Sequence, residues 1–209
     1  MKKYSNIFIK AVMAGCAISL GALANICSQN KIAGSLFFGI GLFLILVWKL
    51  NLFTGKVCSY LEDPDLSITD LLVIYAGNFL GCIIFGYLMR ISVQPQLVDS
   101  LRPSLEFRIT NSPLSIIILG FFCNICIYVA VKGYSKLSKE WEKMLSVFLG
   151  VSVFILCGFE HCIADIFYVT LCNLWDWSSV LFILYVTAGN ILGGITIPII
   201  CKCMNRRKQ

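Results

Sequence analysis

With 209 residues, 58% of them hydrophobic and only 13% charged, and a mean hydropathy of +0.85, the chain lies far from the roughly one-quarter charged composition of soluble domains. It reads as an integral membrane protein, and at about 20 residues per crossing the length allows five or six helices and no separate soluble domain. The formal charge of +6 needs no nucleic-acid partner, because the basic residues sort by membrane side.

Hydropathy predicts spans near 7–27, 32–50, 68–89, 113–132, 144–174 and 178–201. The first, "MKKYSNIFIKAVMAGCAISLGALANIC", imitates a secretory signal. Its apolar run from Ile7 to Ile26 is long for a signal core and is interrupted early by Lys10, so it is read as a retained span. The second carries "LVWKLNLFTGKV", which sets Lys49, Asn51, Thr54 and Gly55 in or just after the apolar run. The third contains "AGNFLG". The fourth holds Cys123 and Cys126 at a spacing that resembles half a zinc or redox site. With no second pair and no nearby histidine, these cysteines read as small hydrophobes, as do most of the eleven, and no metal or cofactor is expected. The fifth is interrupted by "GFEHC", where the only histidine, His161, stands between Glu160 and Cys162, with Asp165 four residues on. The sixth contains "AGNILG".

Six crossings leave both termini on one side. That side carries Lys2, Lys3, Lys10, Lys56, Lys132, Lys136, Lys139, Lys143, Lys202, Arg206, Arg207 and Lys208, twelve cations against four on the other, Lys31, Arg90, Arg102 and Arg108. The bias puts the termini in the cytoplasm of a cell (inner or plasma) membrane protein. Trp48, Trp141, Trp175, Trp177 and Tyr185 suit interface belts or protomer packing.

"AGNFLG" and "AGNILG" occupy matching places in two halves of three spans each. An odd number of spans per half makes the copies inverted, so the chain reads as one transmembrane channel domain over 1–209 with repeats near 7–90 and 113–201. "NLFTGK" and "GFEHC" form a second matching pair of polar interruptions. Broken helices within a bilayer are tolerated where the freed backbone faces a cavity or protein, and symmetric breaks point to a substrate site. Gly55 and Gly158 are expected to let the chain turn there. Gly77/Gly81 and Gly189/Gly193 suit close helix packing, and Asn78 and Asn190 suit interhelical hydrogen bonds.

These stretches resemble the formate/nitrite transporter family of pentameric small-anion channels. The likeness is carried by "AGCAISLG", "GLFLILVWKLNLFTGKV", "GNFLG", "GFFCNICIYVAV", "GFEHCIADIF" and "GNILGG", in order and at matching spacing. It implies an all-α, aquaporin-like protomer of six transmembrane helices in two inverted three-helix repeats, the second and fifth broken, assembled as a homopentamer in the lipid bilayer with a pore in each protomer. It further implies that His161 is the central pathway histidine, faced by Thr54, with Asn124 as a pore asparagine. Phe38, Leu42, Leu52, Phe53 and Phe154 fall where the family places its apolar constrictions, and Phe122 and Ile127 at further pore-lining positions. Arg108, twelve residues before Gly120, stands where the family usually has a vestibule lysine. Asp165 replaces an expected asparagine, and Asn51 an acidic residue. An unpaired, ionised Asp165 would oppose anion entry. The stretch before the first span is shorter than the segment that gates some relatives, so such gating is not expected.

An ionisable residue inside a membrane is a functional candidate by default. The expected activity is passage of a small monovalent weak-acid anion, formate first and nitrite or hydrosulfide as alternatives. Arg108 and the positive ends of half-helices attract the anion, and a hydrogen bond or proton from His161 eases it past the constrictions. Glu160 is expected to hold the broken loop by hydrogen bonding. An enzyme built on His161, Glu160 and Cys162 lacks a recurring supporting site. A neutral-solute pore would carry paired Asn-Pro-Ala boxes, and the sequence has none.

Overall fold

A computed structural model describes residues 2–206, and the side chains of residues 3–205. Of the basic residues assigned above to the side of the termini, the side chains of Lys2 and Arg206, and all of Arg207 and Lys208, lie outside the described residues. The described residues form nine helices: α1 Lys2–Cys27, α2 Lys31–Val47, α3 Phe53–Ser59, α4 Ile68–Ser92, α5 Pro95–Ile109, α6 Pro113–Lys136, α7 Glu140–Leu156, α8 Cys162–Cys172 and α9 Trp177–Arg206. Four of them, α1, α4, α6 and α9, are long and apolar enough to cross a membrane, while α2 and α8 are shorter apolar helices.

The helix starts follow local chemistry. Asn30 caps α2 through its side-chain oxygen on the Ile32 and Ala33 amides. Ser67 and Asp70 form a capping box at α4. Ser112 with Pro113 opens α6, and the Asp176 carboxylate accepts from the Ser179 amide at 2.7 Å in the first turn of α9. The Ser179 amide and hydroxyl hold the Asp176 carboxyl below its ordinary range.

Two bundles share the core. α1 packs on α4 and α2, and α6 on α9 and α7, while α8 inserts against α4 and α3 against α9. Close approach depends on glycine: a Cβ on Gly81 would stand 2.2 Å from the Val12 carbonyl oxygen, and one on Gly193 would stand 2.1 Å from that of Phe121. α5 is a correction to the sequence reading, which left this stretch as a connection between spans. Pro95 at its start and the Arg102–Glu106 pair at i,i+4 favour a helix. It buries only Leu105, so hydropathy alone passes over it. α5 lies against α8, α1 and α9 and carries Arg108 into the protein.

Candidate functional site

Two interruptions meet at the centre of the site. α2 stops at Val47, and the chain turns through Lys49, at φ 52°, before α3 begins at Phe53. α7 stops at Leu156, and the chain turns through Gly158, at φ 69°, before α8 begins at Cys162. Glycine adopts this left-handed backbone freely, whereas lysine does so at a cost of about 1–2 kcal/mol. Gly158 therefore turns the chain as the sequence suggests. Gly55 does not: it lies inside α3, and Lys49 makes the first turn, at the place along the break that corresponds to Gly158.

Each interruption is clamped by a buried asparagine. Asn78 donates to the carbonyls of Ala11 and Asn51, at 2.7 and 2.8 Å, and accepts from the Phe53 amide at 2.8 Å. Asn190 donates to the carbonyls of Gly120 and Glu160, at 2.7 and 2.9 Å, and accepts from the Cys162 amide at 2.9 Å. One amide thus joins a long helix, the last carbonyl of the break and the first amide of the short helix. Backbone groups freed by the break would otherwise remain buried and unpaired.

The clamps present the residues that start α3 and α8. At α3 this is Leu52, without a side-chain cap. At α8 it is His161, whose Nδ1 accepts the Ala164 amide at 3.2 Å. An accepting Nδ1 leaves the proton of a neutral imidazole on Nε2, and Nε2 lies 3.0 Å from Thr54 Oγ1 on α3. Both side chains are buried. The imidazole stacks on Phe154 at a centroid separation of 5.8 Å, and Phe154 meets Phe38 edge-on at 5.4 Å.

Two cavities lie near this contact. One, about 400 Å³, is lined by Phe38, Phe154 and His161 together with Arg108, Glu160 and Asp165, and Lys31 also faces it. The other, about 230 Å³, is lined by Leu42, Leu52 and Gly55, with Lys49 and Lys56. The first cavity thus reaches His161 beside Phe38 and Phe154, and the second reaches Leu52 and Gly55, the near neighbours of Thr54 in sequence.

Four expected pathway residues lie off both cavities. Asn124 is buried and structural in its contacts, its amide reaching the Asn190 carbonyl at 2.6 Å and that of Thr54 at 3.4 Å. Ile127 is buried in the core. Phe53 turns to Tyr75, in edge contact at 4.9 Å, and lines a separate, mostly apolar cavity between α3, α4 and α9. Phe122 is 46% exposed and stacks on Phe159. The buried face of α6 carries Ile116, Gly120, Cys123, Asn124 and Ile127. Two residues from Gly120 and Asn124, Phe122 points about 200° around the helix from them.

Arg108 does not stand free. Its Nε donates to both Glu160 carboxylate oxygens, at 2.9 and 3.1 Å, and its Nη2 donates to Glu160 Oε2 and, at 2.5 Å, to Asp165 Oδ1. The guanidinium also faces the rings of Tyr168 and Phe182. Glu160 accordingly serves the loop twice, through its backbone carbonyl on Asn190 and its carboxylate on Arg108. The Asp165 charge is paired, yet its Oδ2 has no partner. Lys31, read in the sequence only as one of four cations on the side away from the termini, also faces the Arg108 cavity. Its Nζ lies 3.3 Å from the Leu156 carbonyl at the end of α7, a favourable place for a cation. Lys49 and Lys56 belong to the opposite cavity, where no ion pair of theirs is found among the described residues.

The chain is similar to known proteins in sequence and in fold. Among curated relatives, "Formate channel FocA" of Haemophilus influenzae is 23% identical over 181 residues, covering 77% of this chain and 64% of the relative. "Formate channel FocA" of Escherichia coli (strain K12) is 26% identical over 182 residues, with 77% and 64% covered. The chain thus spans 64% of the length of these relatives. In fold, it matches a solved structure described as "Pentameric formate channel with formate bound" with a TM-score of 0.85 at 23% identity, covering 98% of both chains. An "FNT family ion channel" matches with a TM-score of 0.78 at 20% identity, over 92% of this chain and 86% of the other. The profile of the family described as "Formate/nitrite transporter" matches residues 1–204, and the chain belongs to that family.

Proposed function

We propose that the protein is a membrane channel for small monovalent weak-acid anions, with formate as the leading substrate and passage linked to a proton at a central histidine. In this reading residues 1–209 form one channel domain. α2 with α3, and α7 with α8, are two broken crossings, and six crossings form two inverted repeats with the termini cytoplasmic. Five protomers assemble, as the name of the similar formate channel says of that protein, and each carries its own pore. The observation that carries the reading is the buried 3.0 Å contact between His161 Nε2 and Thr54 Oγ1, with one cavity reaching His161 and a second reaching Leu52 and Gly55 on either side of Thr54 in sequence.

An anion in the Arg108 cavity meets a ring of apolar groups, Phe38 and Phe154, before it reaches the contact, and Leu42 and Leu52 after it. Passing such a ring fully charged costs desolvation energy. At the contact the anion replaces Thr54 as acceptor of the Nε2 proton, a charge-assisted hydrogen bond that contributes about 1.5–3 kcal/mol. The amino-terminal end of α8 opens at the same point and favours negative charge. A weak acid polarised there takes up a proton readily and crosses the second ring neutral. Arg108 helps to shape the cavity, while Lys31 supplies its unshared positive charge.

The test is reconstitution in liposomes containing a pH dye, with gradients of formate, nitrite and hydrosulfide applied in parallel. Fast formate flux is expected. Flux of nitrite or hydrosulfide without formate would move the substrate, and flux of none of the three would overturn the channel reading.

A further inference from the structure

We propose that Glu160 and Asp165 together form a proton-binding site in the Arg108 cavity, and that the proton held there sets the charge an entering anion meets. The inference rests on the channel reading for its consequence and on geometry for the site itself. Two carboxyl groups share one guanidinium, and their side chains are only 2% and 1% exposed. Both carboxyl groups are bonded to the same Arg108 Nη2 and so stand close together, which two ionised carboxylates do not do favourably. Asp165 Oδ2 has no partner, although the residue lines the cavity.

Charge balance decides the state. The titratable and charged groups around Asp165 are Arg108 from α5, Glu160 and His161 from the break, Cys162 and Tyr168 from α8, Tyr75 and Cys82 from α4, Cys123 from α6 and Lys31 from α2. Lys31 is occupied at the end of α7, so Arg108 is the cation that meets the pair. One carboxylate balances Arg108. The other, if ionised, is a buried charge without a partner, which is expensive, whereas a proton on Oδ2 removes the charge and lets the hydroxyl donate to Glu160. With the proton in place the cavity carries one positive charge in excess, contributed in effect by Lys31. Loss of the proton to the water of the cavity cancels that excess beside the path to His161. Anion entry therefore falls as pH rises and that proton is lost.

The first readout is infrared spectroscopy of the purified protein in bilayers at neutral pH, which needs no transport. A carboxylic-acid carbonyl band that shifts in heavy water is expected in the native protein and is lost in both Asp165→Asn and Glu160→Gln. Absence of the band from the native protein, or its persistence unchanged in Asp165→Asn, overturns the site. The second readout is the ratio of formate flux at alkaline to that at acidic pH. Asp165→Asn is expected to raise this ratio several-fold over native, and an unchanged ratio overturns the link between the proton and the cavity charge. A band that behaves as expected in a protein that passes no anion upholds the proton site while overturning the channel reading.

Discussion

The two interruptions share a plan and differ in what they display. Each stops an apolar helix, turns through one left-handed residue, is held by one buried asparagine and opens a short helix. The first displays Leu52 and turns through Lys49, while the second displays His161 and turns through Gly158. The pairing separates two tasks that a list of polar residues merges. Asn78 and Asn190 satisfy backbone groups that a break would strand. The capping position is free to be apolar on one side and an imidazole on the other, and opposing a leucine to a histidine gives one histidine facing Thr54 rather than a symmetric pair.

The largest effect should come from breaking the shared part. Replacing either clamp, Asn78→Ala or Asn190→Ala, strands several buried backbone groups, each costing about 1–3 kcal/mol. Both variants are expected to lose on the order of 3 kcal/mol or more, read as a large fall in thermal stability in detergent. If one of them is tolerated, the two clamps are not equivalent. The turning residues sharpen the comparison with effects of opposite sign. Gly158→Ala should destabilise by about 1 kcal/mol, and Lys49→Gly should stabilise by a similar or smaller amount once glycine's greater freedom in the unfolded chain is subtracted. Equal signs would contradict the matched turns.

The smallest effect lies at the helices that follow the short ones, where α4 begins at a Ser67–Asp70 box and α9 at the Asp176–Ser179 bond. Asp176→Ala should cost about 0.5–1 kcal/mol near neutral pH. Because the folded protein lowers the acidity range of this carboxyl, its contribution is present above the ordinary aspartate range and lost as pH falls through the folded-state value. The native and variant melting temperatures should therefore converge in acid.

Sequence reading reached the four long apolar helices, α1, α4, α6 and α9, because hydropathy reports transfer into a bilayer directly. It also reached the repeated Ala-Gly-Asn blocks and the histidine beside its glycine. It left three things out, each for a physical reason. α5 buries a single leucine and carries several charges, so it has no apolar signature. Arg108 reads as a free vestibule charge because its partners lie 52 and 57 residues away in the chain, a pairing that only folding creates. Phe53 and Phe122 stand beside motif residues in sequence, but neighbours on a helix point about 100° apart, so adjacency does not place them on the same cavity. Asn78 and Asn190 were legible as hydrogen-bonding residues, whereas the backbone groups they serve appear only once both breaks are seen in three dimensions.

The central claim is that the second break differs from the first by presenting an imidazole Nε2 to Thr54. His161→Asn tests it directly, because asparagine is a strong capping residue that can hold the α8 amides while removing Nε2 from the contact. Formate-driven flux in liposomes should fall by about 10- to 100-fold, the equivalent of one charge-assisted hydrogen bond, while thermal stability stays near native. Native flux from an equally stable His161→Asn protein would contradict the account.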